Sequence, residues 1–354
     1  MWIENEILRE DLENISMRKE ISWSVFVGKT ILITGATGLI GYTVLCALIY
    51  ATRSMEEKPK ILLLVRDIEK AKIRFEKILR TDSDRIIFVL GDVSGSWEIN
   101  ESVDYIIHGA SPTASKFFVE HPVETIKTAI HGTENMLELA RNKGVKGFVY
   151  LSSMEVYGKG NLAGAMDESY VGDVDPLSVR NCYPESKRMC ENMCISYRQQ
   201  YGVPVKIARL SQTFGPGVSS NDVRVFAEFA RCALAKKDIV LKTDGLSERM
   251  CLYTADAAAA ILCLLTREDA AGAYNIANEN TFSSIRETAQ VVINILANGL
   301  CKLYIPENND DEAIAKYPPK YRLELDTSRM KALGWRATYN QDEMYIRMVK
   351  TWKK

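Results

Sequence analysis

The chain has 354 residues, 47% of them hydrophobic and 26% charged. That is the mix of a folded globular protein in one large or two medium domains, and it excludes a disordered, collagen-like or small disulfide-stapled chain. The 45 basic and 46 acidic residues leave a net charge of -1, which provides no general attraction to nucleic acid or to an anionic membrane surface.

Residues 1–27 read as a polar helical extension with apolar anchors at Ile7, Leu8, Leu12 and Ile15. This stretch is charged throughout and has no signal-peptide core. An alternation then begins. Thr30–Gly35 is a β-branched run suited to a buried strand. A helix is predicted from Leu39 to Arg53, a strand at Lys60–Val65 and a helix at Glu69–Arg80. Strands are predicted at Arg85–Leu90, Val103–Gly109 and Gly147–Ser153, with a helix at Val123–Asn142 between the last two. Helix Tyr183–Tyr201 and strand Val205–Leu210 complete the series.

Repeated strand–helix–strand units with short connections dictate a parallel sheet with helices on both faces. Right-handed crossovers make it doubly wound. The expected fold is therefore α/β, a Rossmann doubly wound parallel sheet over residues 28–210. Beyond residue 211 the rhythm loosens. Helix Val223–Lys236, strand Ile239–Leu241, helix Ala255–Arg267, strand Ala273–Ile276 and helix Ser283–Ala297 predict a smaller C-terminal α/β lobe over 211–354, mainly for substrate binding.

The longest apolar run, Ala257–Leu265, is far shorter than the ~18–20 residues of a membrane span. The 8 cysteines include no C-x-x-C pair, and His108, His121 and His131 share no metal-ligand spacing. The expectation is a cytoplasmic protein with reduced thiols, no metal and no membrane or nucleic-acid partner.

The first strand runs into Gly35-Ala36-Thr37-Gly38-Leu39-Ile40-Gly41. Glycines there let the backbone turn tightly and let a pyrophosphate approach the N–H groups at a helix N-terminus. The second strand ends in Arg66-Asp67, where an acid commonly binds the adenosine ribose; Arg66 suits a 2′-phosphate and so NADP, while Asp67 suits the ribose of NAD. Asp92 and Val93 follow the third strand, and Ala110 the fourth. Gly35, Thr37, Gly38, Leu39, Ile40, Gly41, Arg66, Asp67, Asp92, Val93, Ala110 and Lys187 form the candidate cofactor set, with NAD favoured and NADP left open by Arg66.

The fifth strand ends in Ser152-Ser153, at the sheet edge where the cofactor is expected. Tyr183 and Lys187 are four apart, so on a helix they share a face. A phenol is a weak base near neutral pH, and a neighbouring ammonium favours its ionised form. Tyr183 can then take a proton from a sugar hydroxyl that Ser153 steadies, while a hydride leaves for the nicotinamide.

With these motifs in place, the chain resembles the extended short-chain dehydrogenase/reductases, the family of nucleotide-sugar epimerases, dehydratases and decarboxylases. The resemblance covers residues 28–350 and includes GATGLIG, HGAS, SSMEVYG, CYPESK, SQTFGPG, RMCLYTADAA and DTSRMKALGW. It implies Ser153, Tyr183 and Lys187 as the catalytic trio, with transient oxidation of the sugar C4 hydroxyl by bound NAD. It also implies a homodimer through helices Val123–Asn142 and Tyr183–Tyr201. Ser111, Gln212, Arg224 and Arg249 are the candidate substrate residues, Arg249 for the diphosphate.

Met154-Glu155 follows Ser153. The 4,6-dehydratases have Asp-Glu there, the UDP-glucuronate decarboxylases Ser-Glu, and 4-epimerases small neutral residues. Glu155 joins the candidate catalytic set, to order or protonate an intermediate. ASPTAS, HPVETIKTAIHGTENMLELA, CYPESKRMCENMC and NDVRVFAEF resemble the decarboxylases most. Gln212 departs from the usual Asn and Met154 from the usual Ser. The first expectation is a UDP-glucuronate decarboxylase-like enzyme. A UDP-sugar 4-epimerase, an NADP-dependent 4-keto-sugar reductase and a non-catalytic dinucleotide sensor stay open.

Overall fold

The computed structural model describes residues 3–305 and 320–352. Residues 1–2 of the expected N-terminal extension and residues 306–319 and 353–354 of the expected second lobe lie outside the described residues.

Strands β1 (Thr30–Thr34), β2 (Lys60–Val65), β3 (Ile86–Leu90), β4 (Tyr105–His108), β5 (Gly147–Ser153) and β6 (Val205–Leu210) follow the expected series. With β10 (Gly272–Ile276) they form a seven-stranded parallel sheet in the order β10-β6-β5-β4-β1-β2-β3. The order reverses between β1 and β4, so their carboxyl ends open a crevice where ligands bind in such sheets. β1 is buried along its whole length, which explains why it reads as continuously apolar rather than alternating.

Helices α1 (Glu6–Ser16), α2 (Leu39–Ala51), α3 (Ile68–Arg74), α4 (Glu76–Asp82), α5 (Ser115–Glu120), α6 (Pro122–Lys143) and α7 (Cys182–Tyr201) fall in this half. α2 shares one face of the sheet with α9 (Thr254–Thr266), and α1 packs on both. α6 and α7 pack against each other over the other face, above Leu32, Leu62, Ile106 and Phe148. Every residue of α9 is buried, as a helix apolar all round requires.

Two expectations change. The helix expected over Glu69–Arg80 is two helices that break at Phe75, whose ring is fully buried and stacked between Tyr42 and Phe88 at 5.9 and 6.1 Å. Anchoring that ring in the core redirects the chain. The segment Ala255–Ile276, expected in the second lobe, instead supplies α9 and the sheet-edge strand β10 to the first.

The second lobe contains β7 (Gln212–Phe214), α8 (Val225–Leu234), β8 (Ile239–Val240), β9 (Glu248–Tyr253), β11 (Asn278–Ser284), α10 (Ile285–Ala297), β12 (Leu303–Tyr304), β13 (Arg322–Leu323), α11 (Ser328–Ala332) and α12 (Gln341–Lys350). β11, β9, β13 and β7 form one small sheet, β8 and β12 another. Ser284 and Glu287 start α10 with a reciprocal capping box.

The N-terminal extension is integral to the fold. Leu12 and Ile15 of α1 are buried and Leu8 packs against the same core. Asp11, 3% exposed, accepts from the Tyr253 hydroxyl and from Arg347 Nη2, both at 2.8 Å. Arg18 reaches Asp256 at 2.5 Å. The described cysteines are all free thiols. No described helix is long and apolar enough to cross a membrane. No group of three or more His, Cys, Asp or Glu among the described residues is placed to hold a metal ion.

Candidate active site

The glycine turn sits where the crevice opens. Gly35 has φ +74°, and a Cβ there would lie 2.7 Å from the Gly109 carbonyl carbon beyond β4. A Cβ on Gly41 would press on the Gly35 carbonyl and on Ala36. Gly38 is the N-cap of α2, which has no side-chain cap and no acid in its first turn. The helix therefore offers its first N–H groups, flanked by Thr37, Leu39 and Ile40, to an incoming anion. A dinucleotide pyrophosphate fits this cradle. Thr34 Oγ1 braces the opposite wall by accepting from Gly109 N and Ala110 N at 3.2 and 3.1 Å. His108, between Thr34 and Thr133, is pushed down to about 3 by burial and the Lys187 charge, so it stands neutral.

At the end of β2, where the adenosine is expected, the two candidate residues are placed differently. Asp67 caps α3, accepting from Lys70 N at 3.0 Å and pairing with Lys70 Nζ at 3.2 Å. Its carboxylate is already engaged, while the Arg66 side chain is exposed and has no hydrogen-bond or ion-pair partner among the described residues. Asp92 accepts from Ser94 N and Oγ at 2.9 and 2.6 Å, bonds that hold its carboxyl below the usual range. Val93 is buried against Gly132.

Ser153 ends β5, and a one-turn 3-10 helix, Met154–Tyr157, carries Glu155 back over it. Ser153 Oγ accepts from Glu155 N at 3.2 Å. Ser152 faces away and donates to Glu191 at 2.6 Å in the core. Tyr183 and Lys187 lie on the first turns of α7, both buried. The Tyr183 ring stacks on Phe118 of α5, with centroids 4.3 Å apart and planes at 9°. Burial raises the Tyr183 phenol well above its ordinary value and the Glu155 charge raises it further; Ser153 and Arg180 act in the opposite sense.

Lys187 is brought close to the Tyr183 ring and is anchored on β5. Its nitrogen lies 5.7 Å from the Tyr183 ring centre and donates to the Leu151 carbonyl at 2.7 Å. Burial lowers its pKa to about 8. Arg180, which sequence reasoning missed, donates from Nη2 to Glu155 Oε2 at 2.9 Å. Its position three residues before Tyr183 was legible, but its partner comes from 25 residues earlier.

On the substrate side, Gln212 on β7 is in register with Cys251 on β9, two residues beyond Arg249. Arg249 is half-buried, donates to the Tyr321 hydroxyl at 3.2 Å and has no carboxylate partner among the described residues. An unpaired guanidinium in such a place suits a diphosphate. Arg224 differs: both oxygens of Asp222 hold it, at 2.6 to 3.1 Å. Its charge is already compensated. Ser111 is half-buried and donates to the Pro112 carbonyl at 3.2 Å. Met154 is 7% exposed and packs among Met166, Met250 and Leu325, so the position has no hydroxyl and faces an apolar cluster.

The glycine turn at the switch point thus lies at the same sheet edge as Ser153, Tyr183 and Lys187. The model of the NAD dependent epimerase/dehydratase family matches residues 31–277, and the chain belongs to that family. UDP-glucuronic acid decarboxylase 6 of Arabidopsis thaliana is 31% identical over 86% of this chain and 83% of its own length. UDP-glucuronic acid decarboxylase 5 of the same plant is 34% identical over 66% of this chain; that match spans 65% of the relative's length. Among solved structures, the epimerase Mth375 of Methanothermobacter thermautotrophicus superposes with a TM-score of 0.75 at 22% identity, covering 93% of each chain. UDP-glucuronic acid 4-epimerase of Bacillus cereus, in complex with NAD, gives 0.70 at 20% identity, covering 92% of this chain and 98% of that one. These two likenesses concern the fold.

Proposed function

We propose that this chain transiently oxidises C4 of a nucleotide-diphosphate sugar and acts on UDP-glucuronate as a decarboxylase. The observation that carries this reading is the convergence of Ser153, Tyr183 and Glu155 at the carboxyl end of β5. The Arabidopsis relatives named UDP-glucuronic acid decarboxylase support the choice of sugar. Gly35, Gly38 and Gly41 would hold the NAD pyrophosphate, and Lys187 the nicotinamide ribose. Bound NAD supplies the hydride acceptor and later the hydride donor.

The residues supply the proton and charge chemistry. Tyr183 takes the proton of the C4 hydroxyl while Ser153 hydrogen-bonds the same oxygen. The resulting ketone is β to the sugar carboxylate, so carbon dioxide leaves with its bonding electrons drawn onto the ketone oxygen. Tyr183 and Ser153 face that oxygen and stabilise it. Glu155 orders or protonates the intermediate, and Arg249 holds the diphosphate. A proton taken up from solvent at C5 replaces the lost carboxylate, and return of the hydride to C4 and of the proton to its oxygen closes a redox-neutral cycle. Homodimerisation through α6 and α7 belongs to the same proposal; Val123, Ile126, Met189 and Ile195 leave apolar surface on those helices, between 42% and 55% exposed.

The test is incubation of the purified protein with UDP-glucuronate, following carbon dioxide and UDP-pentose. Turnover of a neutral UDP-hexose with none of UDP-glucuronate overturns decarboxylation in favour of 4-epimerisation. The exposed Arg66 favours NADP and a 4-keto-sugar reductase; NAD retained through purification counts against it.

A further inference from the structure

We propose that Arg180 is a positioning residue that clamps Glu155 beside Tyr183 and screens its charge from the phenol. The inference rests on the reading of Tyr183 as the proton acceptor, not on which sugar it serves.

The two charges stand 2.9 Å apart and act on the phenol in opposite senses. At Tyr183 they therefore work as a dipole rather than as two separate charges, and Arg180 offsets part of the Glu155 repulsion. Arg180 is fixed in this role from two directions. It lies in a one-turn 3-10 helix, Val179–Asn181, that runs directly into α7. Its guanidinium carbon also lies 5.2 Å from the centre of the Phe118 ring, the ring that stacks on Tyr183. Cys182 Sγ tethers the Phe118 carbonyl at 3.4 Å. Guanidinium, Phe118 and phenol thus form one packed unit, with Glu155 clamped beside it.

The remaining groups around the phenol do not replace this pair. β5 contributes Tyr150 and Ser153, α7 contributes Cys182 and Lys187, and α6 contributes Thr125 beside Cys182. The charges of α5, Lys116 and Glu120, pair with each other at 3.6 Å on an exposed face. Lys187 is directed at Leu151, and an ammonium loses its charge on burial far more readily than a guanidinium does.

The experiment is the pH profile of the transient rate of nicotinamide reduction, followed by stopped flow at subsaturating concentrations of any nucleotide sugar the protein turns over. In Arg180→Gln the acid limb moves to higher pH by on the order of one pH unit, because Glu155 is left unbalanced in a partly buried site. In Glu155→Gln it moves to lower pH. The double variant brings the limb back towards wild type, and Arg180→Lys holds it close to wild type. A merely structural role for Arg180 gives slower turnover at every pH with an unmoved limb and no recovery in the double variant; that result overturns the proposal.

A second measurement needs no turnover. NMR titration of isotope-labelled tyrosine rings in the NAD-bound protein, with Tyr183→Phe to assign the resonance, follows the phenol itself. Absence of both product formation and transient nicotinamide reduction with every nucleotide sugar sinks the functional reading. An Arg180→Gln resonance that titrates with the wild type sinks the role of Arg180.

Discussion

The Tyr183 phenol lies in a place that disfavours its ionised form, buried and within the field of Glu155. Removing its hydroxyl while keeping the ring is therefore a clean probe. Tyr183→Phe retains the stack on Phe118, and nicotinamide reduction is expected to fall by about 100-fold or more. Dinucleotide affinity and the thermal midpoint should stay close to wild type; a loss of either assigns the residue to structure instead. The positions of Ser153, Tyr183 and Lys187 were legible because a four-residue helical spacing and a strand end place side chains from local rules alone. Arg180 and Phe118 were not. An arginine ahead of a helix and an aromatic in a short apolar stretch acquire their meaning only when β5, α5 and α7 meet.

The glycine turn is the element whose chemistry was clearest in advance, and its packing accounts for that. A Cβ on Gly41 meets backbone atoms of Gly35 and Ala36, which cannot rotate away. Gly41→Ala is expected to weaken dinucleotide binding by at least about tenfold and to cost ~1–3 kcal/mol of stability. Nucleotide titration and urea unfolding measure the two effects; a variant that binds as wild type refutes the cradle. The paired helices α6 and α7 allow another test. Ile126 and Met189 are 42% and 51% exposed, so Ile126→Asp with Met189→Glu leaves the core intact and should give a monomer in sedimentation. A wild-type protein that is already monomeric removes the dimer. The break at Phe75 was not legible, because helical periodicity runs straight through an aromatic that the core captures from the side.

Across the whole molecule, the boundary between the lobes is the part that sequence order misrepresents. The chain leaves the sheet after β6, builds β7, α8, β8 and β9, then returns to add α9 and β10. An all-buried helix and a short strand look alike in either lobe, so only the pairing of β10 with β6 assigns them. The N-terminal extension is joined in by Asp11. Burial raises its carboxyl to about 6, although Arg347 and Tyr253 oppose the rise. The folded chain thus keeps this proton at a pH where the unfolded chain, with a value of 3.8, has released it. The stabilisation is full below that unfolded value and is lost as the pH rises through about 6. The stability difference between wild type and Asp11→Asn, measured by urea unfolding, should therefore decline from about pH 4 to about pH 6. A difference that stays flat across that window assigns the proton elsewhere. The same contact has a consequence for synthesis. Arg347 also holds the Ile7 carbonyl and Glu10, so helix α1 cannot gain its cation until α12 has left the ribosome. Until then the nascent chain carries a helix awaiting its clasp, and a stop codon just ahead of α12 would leave the Asp11 carboxylate without the arginine that stands 336 residues away from it in the full chain.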